Sequence, residues 1–231
     1  MTEVESQETF ICSCFHNGVI AVGKKKKVEF FVSNTQSASG YKQCGKLVMG
    51  FDIMGLEASS SGDTICVRGK SECELKNISI QEGSFNIEEF SAFNIDGTIV
   101  KSVLCSDKLC LLLEKSVEIH WLFQNKHKVI QIDHSVIDLT TPDESLFFVL
   151  TSNGQLAYFN TNQESAMNEI KFEIIDNFSD SSAISIFYSK YYEIFLVGHK
   201  NKTCSTFKLL EDDQVFKFGG LDNMQVMEFI L

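Results

Sequence analysis

Ser145-Leu-Phe-Phe-Val-Leu-Thr-Ser-Asn-Gly-Gln-Leu-Ala-Tyr-Phe-Asn160 decides the fold. Two apolar runs flank Ser152-Asn153-Gly154, and Asn-Gly is a strong short-range hairpin signal because both residues tolerate positive φ. Just upstream, Ser135 to Glu144 reads as a strand that ends in a turn at Pro142-Asp143. The unit is strand, turn, strand, hairpin turn, strand. A degenerate form of it recurs along the whole chain.

Working outward, the first unit is Thr9–Phe15, a turn at His16-Asn17, Gly18–Val22, the turn Lys24–Lys27 and Val28–Val32. Ser33 to Gly45, rich in Ser, Gly and Gln, reads as a loop. The second unit takes Lys46–Leu56, a turn at Ser59–Asp63, Thr64–Val67, the turn Arg68–Ser71 and Cys73–Asn77. Ile78 to Asp96 has two readings: edge strands at Ile78–Ile80 and Phe85–Ile87, or a short helix at Ile87–Phe93. The third unit is Thr98–Cys105, Leu109–Leu113 and Val117–Phe123, with Val129–Ile132 as an outer strand. After the fourth unit comes an outer strand at Ile170–Ile175. The fifth is Ala183–Tyr188, Glu193–Val197 and Cys204–Lys208, and two more strands are expected at Val215–Phe218 and Met224–Leu231.

The equivalent third-strand positions Val28, Cys73, Val117, Leu156 and Cys204 lie 45, 44, 39 and 48 residues apart. Such a period brackets a four-stranded propeller blade. The expected fold is therefore all-β, a single β-propeller domain over residues 1–231 with about five to seven blades. Met224–Leu231 reads as the piece that closes the ring; an incomplete or truncated propeller is the alternative.

Two propeller families share features with the fourth unit. His134-Ser-Val-Ile-Asp-Leu-Thr-Thr-Pro-Asp-Glu-Ser-Leu-Phe-Phe-Val-Leu-Thr-Ser-Asn-Gly-Gln-Leu-Ala-Tyr-Phe159 resembles a WD-repeat blade: a His precedes the inner strand, a Pro-Asp turn follows it, and a polar-Gly turn divides the next two strands. Tyr158-Phe159-Asn160 stands where that family closes with Trp-Asp. The same hairpin is similar to a repeat of the regulator-of-chromosome-condensation family, although the paired glycines of that family are mostly missing. The resemblance implies a propeller and leaves the family open.

Composition narrows function. The net charge of −11 repels nucleic acid and anionic lipid at long range unless a local basic face overrides it. Arg68 is the one arginine beside nineteen lysines, which argues against sequence-specific nucleic-acid readout by guanidinium forks. The eight cysteines sit mostly in apolar runs, no secretory signal opens the chain, and no apolar run is long enough for a membrane span. Reduced buried thiols in a cytoplasmic or nuclear protein are the expectation.

No catalytic, cofactor or metal site stands out. Cys12 with Cys14, Cys66 with Cys73, and Cys105 with Cys110 lack zinc-motif spacing. Asp133-His134 are strand neighbours whose side chains would point to opposite faces. No P-loop, dinucleotide fingerprint or nucleophile elbow occurs. Were the protein an enzyme, Asp52, Asp107 and Asp138 would be the first suspects. Trp121 shares a face with Val117 and Ile119 and reads as core.

The remaining expectation is a non-catalytic scaffold or regulatory subunit; a chromatin-associated or small-GTPase regulator of the second family is the alternative. In a propeller, turns between second and third strands share one face. Here they carry Lys24, Lys25, Lys26, Lys27, Arg68, Lys70, Lys115, His199, Lys200 and Lys202, a basic set. The expected partner is a protein with an acidic segment, which the shortage of arginine favours over a nucleic-acid backbone.

Overall fold

A computed structural model of the chain describes residues 10–14, 18–34, 40–81, 84–162, 173–177, 183–189, 191–201, 203–209 and 215–221. They form five four-stranded sheets, each ordered as the chain runs. Sheet one holds β1 (Phe10–Cys14), β2 (Val19–Lys24), β3 (Lys27–Ser33) and β4 (Tyr41–Val48); sheet two holds β5 (Gly55–Ala58), β6 (Thr64–Arg68), β7 (Glu72–Gln81) and β8 (Ser84–Asn94). Sheet three holds β9 (Ile99–Leu104), β10 (Lys108–Leu113), β11 (Ser116–Trp121) and β12 (Lys126–Gln131). Sheet four holds β13 (Val136–Thr140), β14 (Leu146–Thr151), β15 (Gln155–Asn160) and β16 (Glu173–Asn177). Sheet five holds β17 (Ala183–Ser189), β18 (Ile194–His199), β19 (Cys204–Leu209) and β20 (Val215–Leu221).

The deciding hairpin forms with β14 antiparallel to β15, from Leu146 opposite Asn160 to Leu150 opposite Leu156. Its turn differs in type from a two-residue Asn-Gly loop. The Gly154 N–H donates to the Thr151 carbonyl at 3.0 Å, and Gly154 alone in the turn has positive φ, at 82°. That is the three-residue loop in which a turn is followed by a left-handed glycine. Thr151 Oγ1 closes it with bonds to Gln155 N and O at 3.0 and 3.1 Å. The Pro142-Asp143 turn is locked from its own side chain, since Asp143 Oδ1 accepts from the N–H groups of Ser145 and Leu146 at 2.6 and 2.8 Å.

Two stretches depart from the sequence reading. Residues 41–45, read as loop, belong to β4, and the inner strand of sheet two is Gly55–Ala58 rather than the whole of Lys46–Leu56. Of the two readings of Ile78 to Asp96 the strands hold: Ile78–Ile80 lies in β7 and Phe85–Ile87 in β8, both longer than expected and paired as one long hairpin. Packing explains both. The Phe85 ring of β8 packs tilted against Phe30 of β3 at 4.9 Å between centroids, and Phe85 lies where a Cβ on Gly45 would sit, at 2.2 Å, so β4 passes beneath the ring only because residue 45 is glycine. The expected strand Met224–Leu231 and the turn at His16-Asn17 lie outside the described residues.

The chain divides into two compact units, one built on Met1–Ser106 and one on Asp107–Ile230. In the first, Val19, Ala21, Val28 and Phe30 of sheet one pack on Leu56, Ile65, Val67 and Ile78 of sheet two, with Met49 and Ile53 from the link between them. In the second, Leu146, Phe148, Leu150 and Leu156 meet Ala183, Ile186, Phe195, Val197 and Phe207, and the Phe148 and Phe195 rings lie 4.1 Å apart. Trp121 is buried, as its alternation with Val117 and Ile119 requires.

Candidate interaction face

The described links between successive sheets hydrogen-bond to turns joining second and third strands. In the first unit the link after β4 donates to the first turn: Met49 N to Lys26 O at 2.8 Å and Ile53 N to Lys25 O at 2.5 Å. It then reaches the second turn, with Met54 N donating to Arg68 O at 2.7 Å. The link after β8 returns to that turn through Ile95 N to Ser71 O and Ile99 N to Lys70 O. In the second unit Ile132 N and Val136 N donate to Lys115 O and Glu114 O, and Ser152 N donates to Ser135 O. The backbone thus stitches turns of successive sheets within each unit to one face.

Lys25, Lys26, Lys70, Lys115 and Lys200 are exposed on these turns. The first turn carries the densest charge. Lys25 adopts φ 49°, Lys26 Nζ donates to Gly50 O at 3.3 Å, and Lys24 and Lys27 reach Glu29 at 3.4 and 3.8 Å. Two members of the expected set do not present their charge. Arg68 is only 8% exposed, with its guanidinium donating to Ile99 O at 3.0 Å and Met54 O at 3.2 Å. Burial pulls its pKa below the ordinary arginine range, with the Glu57 carboxylate opposing. His199 is equally buried and bonds Ser205 Oγ at 2.9 Å. Lys202 lies outside the described residues. The sequence reading also missed the links: exposed Asp52, Asp96 and Asp133 run along the same turns, so carboxylates interleave with the lysines.

The other buried charges serve packing. Asp138 joins two sheets: its Oδ1 accepts from Leu139 N at 2.8 Å and its Oδ2 from Ile186 N of β17 at 2.7 Å. Lys108 Nζ bridges Asp107 Oδ1 at 2.7 Å and Glu144 O at 2.9 Å. Lys76 Nζ lies between Glu74 at 2.6 Å and Glu89 at 3.0 Å; burial works against its ammonium, but the two carboxylates outweigh it and raise its pKa. Of the three suspect aspartates, Asp138 and Asp107 are thus engaged by protein groups, and Asp52 is an exposed link residue. Among the described residues no group of three or more His, Cys, Asp or Glu is arranged to hold a metal ion, and no helix is long and apolar enough to cross a membrane.

Five successive four-stranded meanders, inner strand to outer strand, are the blade arrangement expected from the repeat. The fold matches the crystal structure of the Cps50 (Swd1) β-propeller domain of Myceliophteria thermophila with a TM-score of 0.69, over 95% of this chain and 73% of that one. The fold is a β-propeller. A crystal structure of a protein from Lactobacillus plantarum matches at 0.67, over 91% of this chain and 70% of the other. Sequence identity is 12% and 13%, so these likenesses concern fold alone. No family model matches the sequence, and no curated protein matches it. Five blades are described, within the five to seven that the repeat implies.

Proposed function

We propose that this chain is a non-catalytic scaffold or regulatory subunit, a single propeller domain of the cytoplasm or nucleus, whose lysine-bearing face docks an acidic segment of a partner protein. The observation that carries the reading is the first unit's turn at Lys24–Lys27, stitched by Met49 and Ile53 to the link that also meets the turn bearing Lys70. Lys25, Lys26 and Lys70 are exposed there against the two link carboxylates, Asp52 and Asp96. Lysine suits such a role because its ammonium is a point charge on a flexible stem, with no demand for a planar bidentate partner. Lys115 and Lys200 extend the same chemistry to the second unit, whose turns also carry Glu114 and Asp133. Cys66, Cys73, Cys105, Cys110 and Cys204 are buried in strands or links, the packing expected of reduced cysteines in a reducing compartment.

The test is fluorescence anisotropy with a fluorescein-labelled oligoglutamate peptide. Rim charges contribute about 0.2–1 kcal/mol each. Reversing Lys25, Lys26 and Lys70 together to Glu should therefore weaken binding roughly tenfold or more. Parental binding should fall steeply between about 0.1 and 1 M salt, as the screening length drops from about 10 to 3 Å. Equal affinity in parent and variant, or binding indifferent to salt, refutes the reading.

A further inference from the structure

Cys66 and Cys73 face each other across the strands β6 and β7. Cys66 stands opposite Leu75 and Cys73 opposite Arg68, so all four side chains share one face of sheet two and the two cysteines lie on its diagonal. Their sulfurs are 3.0 Å apart, and neither residue is exposed. Both are free thiols. A diagonal pair is farther apart in the backbone than a directly opposed one, but the sheet's right-handed twist shortens one diagonal, and here the sulfurs already touch. The surroundings are polar for a core: the buried Arg68 is two residues along the same face from Cys66, and Glu57 lies opposite Cys66 on β5.

We propose that Cys66 and Cys73 are a two-electron redox site, converted by hydrogen peroxide into an intramolecular disulfide. The Cys66 thiol is pushed well up, first by its hydrogen bond with Cys73 and then by burial, so Cys66 keeps its proton. Cys73 is therefore the sulfur attacked first. Its sulfur takes one peroxide oxygen as the O–O bond breaks, and the departing hydroxide leaves as water with the Cys73 thiol proton, making Cys73 a sulfenic acid. The Cys66 sulfur then attacks the Cys73 sulfur. An S–S bond forms, the S–O bond breaks, and the hydroxide leaves with the Cys66 proton as a second water. Two thiols and one peroxide give one disulfide and two waters. The new bond would close the turn at Gly69–Ser71, which carries Lys70, and clamp β6 to β7.

The experiment treats the intact folded protein with graded hydrogen peroxide, denatures it in N-ethylmaleimide, and digests it with trypsin without reduction. Cleavage after Lys46, Arg68, Lys70 and Lys76 puts each cysteine alone on its own peptide, Leu47–Arg68 and Ser71–Lys76. The expected product is those two peptides linked, two hydrogens lighter than their sum, as the dominant form of both. The other cysteines should remain alkylated at that dose, whereas chain unfolded in urea should give mixed pairings. Recovery of both peptides separately alkylated while other thiols oxidise overturns the proposal. So does Cys73 as sulfinic acid without the link, or native protein in which either cysteine pairs elsewhere.

Discussion

Replacing Asp138 with Ala removes one side chain and two bonds. Its Oδ2 accepts the Ile186 N–H at 2.7 Å, and its Oδ1 accepts the Leu139 N–H at 2.8 Å. The residue is only 9% exposed, and Ile186 itself is buried, so water cannot simply replace the carboxylate. A hydrogen bond to a charged group contributes about 1.5–3 kcal/mol, and a buried donor left without its acceptor costs about 1–3 kcal/mol. The Ile186 bond dominates because it ties β13 to β17 across two blades, whereas the Leu139 bond spans adjacent residues. The expected loss is about 3 kcal/mol. For a domain of this size each kcal/mol moves the melting temperature by about 2–4 °C, so the midpoint should fall by about 6–12 °C. Asp138→Asn keeps one acceptor oxygen and sets an amide donor against the other N–H, so it should fall between parent and alanine variant. Circular dichroism or calorimetric melts of the three proteins give the answer. An alanine variant melting within about 1 °C of the parent refutes the assignment of Asp138 as the inter-blade tie.

Gly154→Val should destabilise by roughly 1 kcal/mol or more, because a β-branched residue resists the φ of 82° that closes the loop; an unchanged melting temperature refutes the turn assignment. Burial lowers the His120 pKa, with the stacked His127 adding to the shift and Glu118 at 3.3 Å opposing it. The unfolded chain then binds the proton more readily than the folded one. The contribution is present in full above about pH 6.5 and is lost as pH falls toward the folded value. An NMR ring-proton titration should place the His120 midpoint below about 6.5, and a midpoint above that refutes the assignment.

The sequence made the third and fourth blades legible almost strand for strand, because each signal there is local. Asn153-Gly154 marks a turn, Pro142-Asp143 another, and Leu109–Leu113 and Leu146–Leu150 are continuous apolar runs too short for anything but buried strands. The fourth strands of the first two blades were not legible. Their burial depends on distant partners: Tyr41 to Gly45 reads as loop until Phe85 is seen packed over Gly45. The β8 strand, with its exposed Glu88 and Glu89, carries too weak an alternation to separate it from a helix. The interaction face was half legible. Strand order alone assigns the turns, but not where the side chains go. Arg68 follows an apolar strand, and nothing local distinguishes a guanidinium that folds back onto Met54 and Ile99 from one that faces solvent. In the sequence Asp52 reads as a catalytic suspect and Asp133 as a strand residue, so neither is placed beside the lysines.

The periodicity of each second strand reports how many packed faces its blade has. In β10 and β14 every residue is buried, and in β6 all but the first. Sheet two is packed by sheet one on one face and reaches β9 on the other through Arg68; sheet four meets β10 on one side and β17 on the other. Such strands must be apolar on both faces, and Leu109-Cys-Leu-Leu-Leu113 and Leu146-Phe-Phe-Val-Leu150 are. In β2 and β18 burial alternates strictly, so one face of each is packed and the other is half-exposed. Yet Ile20 and Val22 on β2, and Ile194 and Leu196 on β18, are as apolar as their buried neighbours, and Phe187 opposite Leu196 is 49% exposed. Composition alone does not separate the two kinds of blade, because β-branched and aromatic residues favour a strand whether or not a second layer covers it. The alternation of burial does. Among the described residues, β2 and β18 are buried on one face only, and β6, β10 and β14 on both.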